Sequence, residues 1–104
     1  MSLPSDMAPK AERLQLTLFV SGDSPSALRT VRRLRDLCDR HCPGGYDLRI
    51  VDIYKEPEMV FARGVLAVPT LIKERPLPVQ VLIGDFTDGP RVLAALDLPA
   101  ATRD

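Results

Sequence analysis

The sequence predicts one small α/β domain of element order βαβαββα, and three observations carry that expectation. Leu14, Leu16, Leu18 and Val20 alternate with Gln15, Thr17 and Phe19, the period-two signature of a strand with one apolar face. Ala27, Leu28, Val31, Leu34, Leu37 and Cys38 then recur at three- and four-residue steps, which is an amphipathic helix. A second apolar run follows from Tyr46 to Ile53. Two strands joined by a helix of that length pair in parallel, because the crossover returns the chain to the same end of the sheet.

Each element has its own signals. Ser24 is an N-cap, and Pro25 suits the first helical position because its missing N–H has no partner there in any case. Pro43-Gly44-Gly45 stops that helix. In the second strand Leu48, Ile50, Val51 and Ile53 supply the apolar side chains, and Lys55-Glu56-Pro57 breaks it. Glu58 to Arg63 fits a short helix ending at Gly64. Thr70 to Lys73 and Val79 to Ile83 read as strands, separated by Arg75-Pro76-Leu77-Pro78, which cannot hold a regular ladder. Arg91 to Leu98 is apolar at helical spacing, closed by Pro99. Residues 1–13 are expected to form a flexible arm, 14–98 the domain and 99–104 a short tail.

Composition narrows the function. With 104 residues there is room for one core, and an apolar fraction of 45% suits an ordinary globular chain. Fourteen basic residues balance fourteen acidic ones, which argues against nucleic acid held by bulk electrostatics. Arg29, Arg32, Arg33, Arg35 and Arg40 nevertheless crowd the first helix, either as a solvated face or as a surface for an acidic partner. The sequence has no apolar run of membrane-spanning length and no signal-peptide core, so the expected compartment is the cytoplasm.

Chemistry is sparse. Cys38 and Cys42 are separated by three residues rather than the two of a redox motif, and Cys38 lies on the apolar stripe as a buried free thiol. Cys38, His41 and Cys42 would lack a fourth metal ligand. Asp23, Asp47, Asp52 and Asp85 are scattered and form no acid–base pair. Gly44-Gly45 lacks the following Lys-Ser/Thr of a phosphate loop. No catalytic residue, cofactor or metal is expected.

The run Val65-Leu66-Ala67-Val68-Pro69-Thr70-Leu71 resembles the loop that faces the active site of a thioredoxin-like domain. The matching first loop, Ser21-Gly22-Asp23-Ser24-Pro25-Ser26, contains no thiol. A thiol oxidoreductase is therefore disfavoured, and a binding or regulatory role is expected.

A wider set of residues is similar to the KaiB family of the bacterial circadian clock. It comprises Leu16-x-Leu18-Phe19-Val20-x-Gly22, Ser24-Pro25, Leu48-Arg49-Ile50-Val51-Asp52, Lys55-x-Pro57, Leu66-Ala67-x-Pro69-Thr70-Leu71, Ile83-Gly84-Asp85 and Val92-Leu93-x-x-Leu96-Asp97-Leu98. The resemblance implies a thioredoxin-like βαβ N-terminal half. It also implies a C-terminal half with two possible packings, an oligomeric βαββααβ form and a thioredoxin-like βαβαββα form that differ by a few kcal/mol. It implies a non-catalytic regulator of a KaiC-like ATPase that captures a KaiA-like protein, or a module acting with a histidine kinase. A homodimer or homotetramer is expected at high concentration. A stress or signalling role without clock partners is the alternative.

Carried over by position, the resemblance implies partner contacts at Asp47 and Arg49 in the second strand, and at Arg63 and Lys73 flanking the Val68-Pro69-Thr70 loop. It implies fold-switch positions at Pro69, Gly84 and Asp85. Two departures stand out: Gln80-Val81 replaces the family's Arg pair, and Ala94-Ala95 replaces a frequent Ile-Gly. Ala in place of a helical Gly favours helix by about 1 kcal/mol, which tilts this chain toward the thioredoxin-like packing.

Overall fold

A computed structural model describes residues 13–42 and 45–98. The expected arm apart from Arg13, most of the Pro43-Gly44-Gly45 stop and the tail at 99–104 lie outside the described residues. The elements run β1 (Leu14–Val20), α1 (Pro25–His41), β2 (Tyr46–Asp52), α2 (Pro57–Ala62), β3 (Thr70–Arg75), β4 (Gln80–Ile83) and α3 (Gly89–Ala95). This is the βαβαββα arrangement of the two expected.

The sheet order is β2-β1-β3-β4. β1 pairs in parallel with β2, with Leu14 opposite Tyr46 and Val20 opposite Asp52. β3 runs antiparallel to β1, and β4 antiparallel to β3. The central position of β1 explains its composition: both of its faces are covered, so six of its seven residues are buried.

The larger core fills the face under α1 and α3. Leu16, Leu18 and Val20 from β1 meet Leu34 and Cys38 from α1, Leu71 from β3, Leu82 from β4, and Val92 and Leu96 around α3. Ser24 caps α1 as expected, its Oγ accepting the Ala27 N–H at 3.2 Å. The opposite face carries a smaller core. Phe19, Val51 and Ile72 are buried there beneath Met59 and Val60 of α2 and Val65 and Val68 of the following loop.

Boundaries moved where caps decide them. α3 begins at Gly89 rather than Arg91, because Asp88 caps it by accepting the Arg91 N–H at 3.2 Å. It ends at Ala95, since Asp97 takes a left-handed φ of +58° and turns the chain. β3 extends two residues past Lys73 to Arg75, where Pro76 removes the next ladder donor. Ile53 leaves the strand, yet its N–H still donates to the Val20 carbonyl at 3.0 Å. Phe86 also sits at positive φ, +63°, held there by its burial in the α1/α3 core.

Candidate partner-docking face

The face of the sheet that carries α2 is where the unspent surface lies. α2 is a single six-residue segment with no buried residue, too short to cover the sheet. Phe61 is 90% exposed and Leu66, in the loop after α2, is 95% exposed. On β4 the side chains of Val81 and Ile83 point to the same face, because they stand opposite Ile72 and Thr70 in the ladder. Gly64, Val65 and Leu66 form one wall of an open groove and Val81 and Ile83 the other, with Thr70 and Ile72 at its floor. Leu66, Val81 and Ile83 thus form one exposed apolar patch rather than scattered exposure.

Charged groups frame that groove. Arg63, at the end of α2, donates from Nη1 and Nη2 to the two carboxylate oxygens of Glu74 at 2.9 and 2.8 Å. Thr17 adds its hydroxyl to Glu74 at 2.7 Å. The Arg63 guanidinium, helped by Thr17, holds the Glu74 carboxyl below its ordinary value. This two-point clamp fixes the α2–β3 loop on the sheet and leaves its apolar tip outward. Arg49 on β2 pairs with Glu56 at 3.0 Å, and Asp47, two residues before it on the same face, lies 3.7 Å from Arg13. Asp47, Arg49 and Arg63 are thus on one face, as members of a continuous polar band beside the apolar groove.

Lys73 does not join them. Strand alternation sends Ile72 and Glu74 toward α2 but Leu71 and Lys73 toward α1 and α3. Lys73 is 1% exposed, and its Nζ donates to Asp97 Oδ2 at 3.2 Å. The expected contact residue is, in this packing, a buried tie between β3 and the end of α3.

The three positions expected to govern switching are gathered at one end of the sheet. Gly84 N–H donates to the Pro69 carbonyl at 3.2 Å, and Gly84 has a φ of +143° that side-chain-bearing residues seldom adopt. Asp85 Oδ1 accepts both the N–H and the hydroxyl of Thr87, at 3.2 and 3.0 Å, and its carboxyl is lowered by those bonds. Its carbonyl accepts from Arg33 of α1 at 2.7 Å. The Val68–Pro69 bond is cis, as are Arg75–Pro76 and Leu77–Pro78.

Phe61, Leu66, Val81 and Ile83 escaped the sequence reading. The signal was there in part: Phe61 lies in, and Leu66 just after, a Gly-ended helix too short to bury them, and Val81 stands in the place of the family's Arg pair. Cys38 is buried as expected, and burial beside Cys42 pushes its thiol up to about 12, so it offers no nucleophile. Among the described residues no group of three or more His, Cys, Asp and Glu is placed to hold a metal ion. No described helix is long and apolar enough to cross a membrane.

The fold is that of a thioredoxin-like domain in which Pro69 confronts Ser21, Ser24 and Ser26 of the first loop rather than a thiol, with an open apolar groove edged by charge on the α2 face. The KaiB domain matches residues 17–98, and the chain belongs to the KaiB family. A circadian clock oscillator protein KaiB from Prochlorococcus marinus (strain MIT 9313) is 42% identical over 83 residues, which span 80% of this chain and 70% of that protein. The solution structure of the N-terminal domain of Synechococcus elongatus SasA is similar with a TM-score of 0.69 and 27% identity, covering 93% of each chain. Chloroplastic thioredoxin z shares the fold alone, with a TM-score of 0.65 at 15% identity over 83% of this chain and 77% of its own.

Proposed function

We propose that this chain is a non-catalytic KaiB-type regulator that binds a KaiC-like ATPase in the cytoplasm and modulates its phosphorylation cycle. The observation that carries the reading is the α2 face, where Phe61, Leu66, Val81 and Ile83 stand exposed beside Asp47, Arg49 and Arg63 in a chain of the KaiB family. An apolar centre edged by charge suits a protein partner: burial supplies affinity, and the charged band sets register. The absence of a thiol from Ser21 to Ser26 speaks against redox catalysis on the same scaffold. Pro69, Gly84 and Asp85 are proposed as the joint at which the C-terminal half rearranges, since one hydrogen bond links the loop before β3 to the end of β4. Assembly into a homodimer or homotetramer and recruitment of a KaiA-like protein belong to the same proposal.

Size-exclusion chromatography of the chain with the KaiC-type ATPase of its host, in ATP and then in ADP, tests it. Co-elution that builds over hours, and that is lost in the Phe61→Ser/Leu66→Ser double variant, is the expected result. Absence of a complex in either nucleotide overturns it. The likeness to the SasA domain favours a second reading, a module that acts with a histidine kinase, and co-elution with such a kinase but not with the ATPase would select it.

A further inference from the structure

The two outer strands of the sheet, β2 and β4, present unlike edges. β2 carries Asp47, Arg49 and Asp52, charges of the kind that keep a free edge from pairing with another strand. β4 has no charged side chain, and neither has the run from Leu77 to Val79 before it. Its backbone parity follows from the ladder. The Gly84 N–H donates to the Pro69 carbonyl, one step beyond the pairing of Thr70 with Ile83, so Gly84, Leu82 and Gln80 turn their N–H and C=O groups to β3. Val81 and Ile83 therefore turn theirs outward, where no hydrogen bond among the described residues takes them. The same two residues display their side chains on the α2 face, 58% and 51% exposed.

We infer that β4 pairs antiparallel with β4 of a second copy of this chain, about a two-fold axis at Leu82, joining two sheets edge to edge. The inference rests on the self-association proposed above, to which it gives a surface in the packing seen here, and it needs no ATPase partner. An outward row of alternating donors and acceptors calls for an extended backbone, which neither a helix nor a nucleic acid supplies. Self-complementarity makes that backbone a second copy. With Leu82 opposite the partner subunit's Leu82, Val81 stands opposite the partner's Ile83, and Ile83 opposite the partner's Val81. Each of these pairs exchanges N–H···O=C bonds in both directions, and each covers one exposed β-branched side chain with another. The strand brings no charge against itself, and the chain's zero formal net charge adds no repulsion. The same patch serves both copies, so the contact closes at a dimer. A four-residue edge is short beside a standard interface of about 1,600 Å², so the dimer is weak and forms at high protein concentration.

Sedimentation velocity of the full chain from about 10 μM to about 1 mM tests the interface. A monomer–dimer equilibrium is expected, weakened about tenfold or more in the Val81→Lys/Ile83→Lys variant. Val81→Lys/Ile83→Glu places each new ammonium opposite a new carboxylate of the other copy. It should therefore dimerise more strongly than the first variant and lose that advantage in high salt. Hydrogen exchange adds a second readout. The Val81 and Ile83 amides should gain protection as concentration rises, whereas the Leu82 amide, already bonded to β3, should not. The substituted side chains are exposed, so both variants should fold, and their NMR spectra check that directly. A dimer left intact by Val81→Lys/Ile83→Lys, equal association of the two variants, or protection gained on β2 instead would overturn this interface while the self-association stands. A chain that stays monomeric throughout would overturn both.

Discussion

The two faces of the sheet are built from the same strands but to different ends. Under α1 and α3, twelve buried side chains form a continuous core, and even Lys73 is drawn in and tied to Asp97. Under α2, three buried residues suffice, and the helix above them displays Phe61 rather than burying it. The contrast follows from helix length. A helix of seventeen residues presents several turns to the sheet, whereas one of six presents barely more than one and cannot cover β4 as well. One face holds most of the buried core; the other leaves apolar side chains exposed.

The largest test of that contrast is Leu34→Ala in α1. Leu34 has no exposed surface, so its truncation should cost about 3 kcal/mol, within the roughly 2–5 kcal/mol range for buried leucines. Denaturant unfolding would read this, and a loss under about 1 kcal/mol would mean that the α1 core is not dominant.

Next in size is the tie between β3 and α3. Asp97→Asn leaves the buried Lys73 ammonium facing a neutral amide and should cost about 1–3 kcal/mol, below a fully buried pair because Asp97 is itself 61% exposed. Lys73→Met, which removes the charge and keeps the volume, should cost less than Asp97→Asn. The reverse order would show that the ammonium is satisfied without Asp97.

On the α2 face the expected effect on stability is small. Phe61→Ser and Leu66→Ser should each change unfolding by no more than about 0.5 kcal/mol while abolishing partner binding. A loss of several kcal/mol would place these side chains in the core of the folded protein in solution.

The smallest effect is a pH dependence from Glu74. Its folded-state value lies below the ordinary 4.5, so the clamp contributes stability above that value and loses it as pH falls through the lower, folded value. Its partly exposed pair with Arg63 should contribute under about 1 kcal/mol. Acid unfolding of Glu74→Gln should show a shallower pH slope below 4.5 than the parent chain, and an unchanged slope would remove Glu74 from the account.

Strand and helix identity was legible because periodicity is local. The alternation of Leu14, Leu16, Leu18 and Val20 and the Ser24-Pro25 cap are complete within a few residues, and both formed as read. The start of α3 was misplaced by two residues, since Asp88 was not recognised as its cap. The candidate site was legible only in part. Asp47, Arg49 and Arg63 reached one face, but Lys73 went to the other, because a charged residue in a short run after a proline does not declare its parity. Its side depended on the pairing of β3 with β1, in which Lys73 stands opposite Leu16.

The sequence by itself determined the order of the elements, the family and the absence of a thiol in the first loop, all of which rest on neighbouring residues and their spacing. Only the tertiary structure decided which residues share a surface. Leu66, Val81 and Ile83 come together through the β3–β4 ladder and the Arg63–Glu74 clamp, and Lys73 meets Asp97 because the pairing of β3 with β1 turns it to the α1/α3 side. These are choices among partners distant in sequence. They depend on pairing register and side-chain reach, which a one-dimensional pattern does not encode.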